Sequence, residues 1–161
     1  MFVIKAGFSD KIEVKTNIEN VRKFFSNIQN FVELMPNLES IHTDGKGITN
    51  WKIRAEVPFV GSFIQYFKVQ LTDQSDNHIE WSPLAFEKEN FLRYFADFEE
   101  VNMNTTIVQF SQNVEVRRNN ATDLHLLAGL AGEGMISREM SKKIAEMLRI
   151  FINRAKEKLE K

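Results

Sequence analysis

The chain has 161 residues and no cysteine. That absence removes disulfides, thiolate nucleophiles and cysteine metal sites together, and it fits a reducing compartment. There is no excess of either charge: the net charge is −1 and the pI about 6.3, so no global basic field recommends a nucleic-acid partner. No stretch approaches the ~20 apolar residues of a membrane span, so stable membrane insertion is not expected. The first ten residues, Met1 to Asp10, lack a basic segment followed by a long apolar run and a small-residue cleavage site. A soluble, cytoplasmic protein is the expectation. Polar aromatics are scarce too: two Tyr and two Trp stand against fourteen Phe. Phe has no polar handle, so this choice suits a large apolar interior, solid or hollow.

Chemical motifs are also missing. There is no nucleophile elbow, P-loop or dinucleotide fingerprint, and no cofactor is expected. His42, His78 and His125 fall in different elements, without an orienting carboxylate or nucleophile at useful spacing. His42 and Asp44 offer two metal ligands and no third, so no metal site is assigned. Asp97, Glu99 and Glu100 read as a solvated strand end. No catalytic residue is assigned.

What the sequence does contain is periodicity. Residues 6 to 16 alternate as a strand, with Phe8, Ile12 and Val14 on one side. Thr16 or Asn17 can cap a short helix from Ile18 to Asn27 that buries Val21, Phe24 and Phe25. Asn30 can start a second, Phe31 to Met35, which Pro36 ends. The period then changes to two for about eighty residues. Strands are expected at Leu38–Thr43, Ile48–Val57, Ser62–Thr72, His78–Trp81, Phe91–Val101 and Thr105–Arg117. The fifth of these has ambiguous facing: Phe91 and Phe95 lie on one side, Leu92, Tyr94 and Phe98 on the other. From about Asp123 to Lys158 the helical period returns, predicting one long amphipathic helix of roughly 50 Å. All strand connections are short, so the sheet should be antiparallel and curl around that helix in one α+β domain.

This order of elements resembles the helix-grip fold of the START and birch-pollen-allergen-like superfamily, also called the SRPBCC or polyketide cyclase and lipid-transport group. There a curved seven-stranded antiparallel sheet grips a long C-terminal helix, with two short helices after strand 1. The segment from Phe24-Phe25-Ser26-Asn27-Ile28 through Met35-Pro36-Asn37-Leu38-Glu39-Ser40-Ile41 is similar to the family's passage from its first helix to its Pro-terminated second. Leu127-Ala128-Gly129-Leu130-Ala131-Gly132-Glu133-Gly134, followed by Ile144 to Leu159, resembles the C-terminal helix of the family's carbon-monoxide-dehydrogenase branch. The resemblance implies a cavity between sheet and helix that holds a hydrophobic or amphipathic small molecule such as a lipid, quinone or polyketide-like compound. It also implies two loops framing the cavity mouth, here Pro58–Gly61 and Pro83–Lys88.

Within that frame, Trp51, Phe63, Phe67, Trp81, Tyr94 and Phe110 from the strands, with Leu127, Ala131 and Met135 from the start of the helix, are the expected cavity walls. Gln65 and Gln112 share faces with apolar neighbours, and burial of such groups costs a few kcal/mol unless they find partners. They either orient a ligand's polar head or pair with other groups and water. The loop tips Phe59, Val60, Leu84 and Phe86 either gate the mouth or fold inward as caps. Gly129, Gly132 and Gly134 weaken their helix by roughly 0.8–1 kcal/mol each relative to Ala, as a hinge beside the pocket or as a close-packed or broken helix start. Binding of a hydrophobic small molecule is the expected function. The alternatives are a cyclase, dehydratase or hydrolase in the same cavity, for which Asp10 and Arg93 are the titratable candidates, and an accessory or assembly factor of a redox enzyme. A protein partner is compatible with the sequence; oligomeric state is not legible in it.

Overall fold

The computed structural model describes residues 1–161. Seven strands form one antiparallel sheet in the order β1-β7-β6-β5-β4-β3-β2. They are β1 (Phe2–Val14), β2 (Leu38–Thr43), β3 (Thr49–Val57), β4 (Gly61–Gln74), β5 (His78–Pro83), β6 (Asn90–Asn102) and β7 (Thr105–Arg118). Two short helices, α1 (Ile18–Ser26) and α2 (Gln29–Leu34), link the two edge strands β1 and β2. A four-residue helix α3 (Ala128–Ala131) leads into α4 (Glu133–Leu159), which fills the concave face and packs chiefly on β1 and β3. This is the α+β helix-grip fold that the period changes announce.

Local chemistry explains most of the boundaries. Asn17 caps α1 by accepting from the Asn20 N–H at 2.9 Å. Asn30 does not cap α2 as expected; it lies inside that helix and is buried. Its Nδ2 donates to the Phe24 carbonyl and its Oδ1 accepts from Lys158 Nζ, so one amide ties α1, α2 and the end of α4 together. The Asp44 carboxylate accepts from the N–H groups of Lys46 and Ile48, closing the β2–β3 hairpin.

Two further expectations are corrected. The first strand starts at Phe2 rather than residue 6, because Phe2, Ile4 and Ala6 continue the buried face against β7. The C-terminal helix is not continuous from Asp123. A 3₁₀ turn (Ala121–Asp123) and the short α3 precede α4. The break falls at Gly132, whose φ of 83° and ψ of 156° lie in a region essentially restricted to glycine.

The ambiguity of β6 is settled by packing. Leu92, Tyr94, Ala96 and Phe98 face inward and are buried, while Phe91 and Phe95 lie on the convex face. Arg117 sits over the Phe91 ring at 4.5 Å, and His78 stacks on Phe95 at 5.9 Å.

Candidate functional site

The interior between sheet and helix has two unlike ends. Toward α1 and α2 it is solid. Phe31 stacks on Phe151 of α4 with ring centroids 5.1 Å apart and meets Tyr94 at 5.1 Å and Trp51 at 5.8 Å. Phe110 closes the cluster against Tyr94 and Phe151. Trp51 is buried with its indole N–H donating to Thr49 Oγ1 at 3.0 Å, and that hydroxyl donates onward to the Val69 carbonyl. Rings at these separations fill the space they enclose.

Farther along the sheet the packing opens into a cavity of about 40 Å³. Its floor is Ile53 and Ala55 of β3, Gln65 and Phe67 of β4, and Gln112 and Val114 of β7; Met140, Ile144 and Met147 of α4 form its roof. Asn37, Arg54, Glu56 and Lys143 make a polar rim. The rim lies where β2 stops pairing at Ile53, which leaves the rest of β3 as an open edge beside α4. Such a volume has room for a few water molecules and is far below the roughly 300 Å³ or more of a typical ligand pocket.

The rim cations are neutralised locally. Arg54 donates to Glu39 Oε1 through its Nε at 2.8 Å, and Lys52 pairs with the other oxygen at 3.3 Å. The guanidinium and ammonium beside Glu39 hold its carboxyl below the usual range. Lys143 lies 3.8 Å from Glu146.

Inside, the polar groups behave differently from one another. Gln65 is satisfied, its Oε1 accepting from Arg118 Nη2 at 2.9 Å and Asn90 Nδ2 at 3.2 Å. Gln112 is 1% exposed, and neither its Oε1 nor its Nε2 has a partner. The Tyr94 hydroxyl and the Trp81 indole N–H are likewise buried without one. Burial pushes the Tyr94 phenol well above its ordinary pKa, so it is a neutral group throughout the working pH range; the nearby Trp81 N–H opposes that shift without reaching hydrogen-bond geometry.

Of the expected wall residues, Gln65, Phe67 and Gln112 border this cavity. Trp51, Trp81, Tyr94 and Phe110 are buried among other side chains, three of them within the solid aromatic end and Trp81 stacked on Tyr94. Phe63, Ala131 and Met135 are partly buried against the core, and Leu127 is 38% exposed; none of the four borders the cavity. Sequence reasoning did not single out Met140, and it missed Ile144 and Met147, whose spacing reads as the helix's plain packing face. The opening therefore lies at the middle of the helical segment, two turns beyond the glycines. The one available signal was methionine recurring beside a strand that carries Ala55, since Met fills irregular space that rigid side chains leave.

The loop tips split. Val60 and Leu84 are buried, whereas Phe59 is 89% exposed and Phe86 77% exposed. Phe59 also has a φ of 68°, a left-handed conformation costing roughly 1–2 kcal/mol for a bulky residue. Pro58 and Gly61 border a shallow concavity that adjoins Lys143 on the cavity rim. Among the glycines, Gly129 lies in α3, Gly132 at the break and Gly134 in the first turn of α4.

The titratable candidates do not converge. Asp10 is exposed on β1, where its carboxylate accepts from the Lys11 N–H, and Arg93 is exposed on the convex face, 3.8 Å from Glu80. His42 is exposed. His125 is half-buried, with Nδ1 accepting from the Leu127 N–H and its ring 5.8 Å from that of Phe63. His78 lies on the convex face, with Nδ1 bonded to Asp97 and Nε2 3.4 Å from Glu80 and 3.8 Å from Asp73. No helix is long and apolar enough to cross a membrane.

No protein-family model matches the sequence, and no curated protein is similar to it in sequence. Solved structures are similar in fold. The di-domain aromatase/cyclase BexL from the BE-7585A biosynthetic pathway superposes with a TM-score of 0.66 at 14% identity, covering 98% of this chain and 51% of that one; the chain spans about half its length. A START superfamily protein from Mycobacterium smegmatis gives 0.62 at 13% identity, over 95% of this chain and 98% of its own. The protein DR_A0006 from Deinococcus radiodurans gives 0.60 at 17% identity, over 98% and 97%. The shared architecture is that of START-superfamily proteins and aromatase/cyclases, and the likeness is one of fold.

Proposed function

We propose that this protein binds a hydrophobic or amphipathic small molecule between its sheet and α4, entering along the open edge of β3. The observation that carries the reading is Gln112, a fully buried amide without a partner that borders an apolar cavity. A buried polar group left unpaired costs roughly 1–3 kcal/mol, and folded proteins tolerate few of them outside functional sites. The cavity must grow to admit a ligand. Its roof is suited to that, because Met140 and Met147 have unbranched, pliable side chains and Gly132 interrupts the helical segment upstream. The hinge role of Gly129, Gly132 and Gly134 and the gating role of Phe59 belong to this same reading.

BexL is named an aromatase/cyclase. A cyclase here would have chiefly neutral groups inside the sheet, Tyr94 and Gln112 foremost, since Asp10 is exposed and Arg93 lies exposed on the convex face. Placement in the carbon-monoxide-dehydrogenase branch, and the accessory role it would bring, rests on the Leu127–Gly134 segment alone. Binding without turnover is the reading with the most behind it.

Native mass spectrometry of the purified protein is expected to show a stoichiometric apolar adduct, released on denaturation. A protein that carries no adduct, and whose Tm is unmoved by the neutral dye Nile red, would remove the reading.

A further inference from the structure

The three inward polar side chains without partners are not scattered. In the sheet register Trp81 of β5 lies opposite Tyr94 of β6, and Tyr94 lies opposite Gln112 of β7. They form one row across three adjacent strands, all facing α4, with the Trp81 and Tyr94 rings stacked 6.2 Å apart. Gln112 is the member that borders the cavity. The row holds Trp81 Nε1, Tyr94 OH, Gln112 Nε2 and Gln112 Oε1, all buried and unpaired. Elsewhere in the aromatic interior such groups are paired: Trp51 finds Thr49 and Asn30 finds Phe24 and Lys158.

The chemistry of the row is one-sided. Trp81 can only donate, Tyr94 and the Gln112 Nε2 both donate, and acceptors are in the minority. No Asp, Glu, Lys, Arg or His is among the buried residues, and Arg118, on the inward face of β7 with its side chain 11% exposed, is engaged with Gln65 and Glu89, so no free charge in the row can balance a ligand's. The cations at the rim, Arg54 and Lys143, are engaged with Glu39 and Glu146. A carboxylate or phosphate moved to this row would lose its hydration and gain no cation, a cost of several kcal/mol.

Building on the cavity-binding reading, we infer that the ligand is a neutral carbonyl compound whose oxygen accepts from Gln112 Nε2, with Tyr94 and Trp81 extending the donor row, and that Gln112 determines this specificity. Ketones, quinones and esters fit the row; free fatty acids and phosphorylated lipids do not.

A matched set of probes tests it. Undecane, 2-dodecanone and dodecanoate at pH 7.4 would each compete with Nile red on the intact chain, with fluorescence as readout and native mass spectrometry for stoichiometry. The ketone is expected to bind about tenfold tighter than undecane, the worth of one net hydrogen bond, and tighter than dodecanoate. Gln112→Leu and Gln112→Met should bring the ketone down to the level of undecane. Both should also raise Tm, because they remove an unpaired amide; a fall in Tm in both would mean that the amide serves the fold, and would overturn the inference. Equal binding of ketone and undecane to the native protein, or tightest binding of dodecanoate, would overturn the inference while leaving the cavity reading in place. If neither Nile red nor any probe binds, the cavity reading fails first and this inference with it.

Discussion

The two ends of the interior are built from different side chains and pack differently. At the end capped by α1 and α2, rings from Phe24, Phe25, Phe31, Trp51, Tyr94, Phe110 and Phe151 meet at 5.1–6.4 Å and pack directly on one another. At the other, Met140, Ile144 and Met147 stand over Ala55 and Gln112 and leave a void of about 40 Å³. Rigid flat side chains supply stability through dense contact, while thin or pliable ones leave space that a ligand can enlarge. The difference suggests a division of labour: one end holds the fold together so that the other can be loose.

The largest effect that would sharpen this contrast is at the solid end. Phe31→Ala removes a fully buried ring touching four aromatic neighbours and should cost about 3–5 kcal/mol in urea unfolding. A loss under about 1 kcal/mol would mean that this end collapses as readily as the other. Next comes the break that separates α3 from α4. Gly132→Ala meets no neighbouring atom, so its cost is backbone strain alone, on the order of 1–3 kcal/mol. An unchanged midpoint would show that the chain reroutes there freely.

Adding a single methylene compares the ends directly. Val21→Ile, in the packed layer under α1, should destabilise by about 1–3 kcal/mol, whereas Val114→Ile, bordering the cavity, should be neutral or stabilising by about 1 kcal/mol. Opposite signs in thermal melts support the contrast; equal losses break it.

The smallest effect lies outside the interior, and serves as a control on the convex face. Burial alone would lower the His78 pKa, but Asp97, Glu80 and Asp73 outweigh it and raise it above 6.5. Arg93 pairs with Glu80 at 3.8 Å and so shares one of those carboxylates. A raised folded-state pKa means that protonated His78 stabilises the native state fully below pH 6.5 and that this contribution fades as pH rises through the folded value. Tm should therefore fall between pH 6 and pH 8, and His78→Asn should flatten that slope. A slope unchanged in the variant would assign it to other groups.

Much of the fold was legible because it is written in local periods. The alternation of Trp51, Ile53, Ala55 and Val57 makes one face of β3 whatever it pairs with, and Asn17 and Asp44 close their turns with their own side chains. The candidate site was less legible. Trp51 and Phe110 have the composition of a pocket wall, yet their neighbours across the chain, Phe31 and Phe151, arrive only on folding and fill the space. Gln65 and Gln112 are the same residue type on the same kind of face. One is satisfied by Arg118 and Asn90 from distant strands, and the other is left alone.

The sequence by itself determined the order of elements, the antiparallel sheet, the gripping helix and the absence of thiol chemistry, since each depends on residues within a few positions of one another. Tertiary structure alone decided which face of β6 turns inward, where α4 stands off the sheet, and that Trp81, Tyr94 and Gln112 share one row. Those outcomes depend on strand register and on what packs opposite, which bring together side chains far apart in the chain, and no local pattern encodes such a meeting.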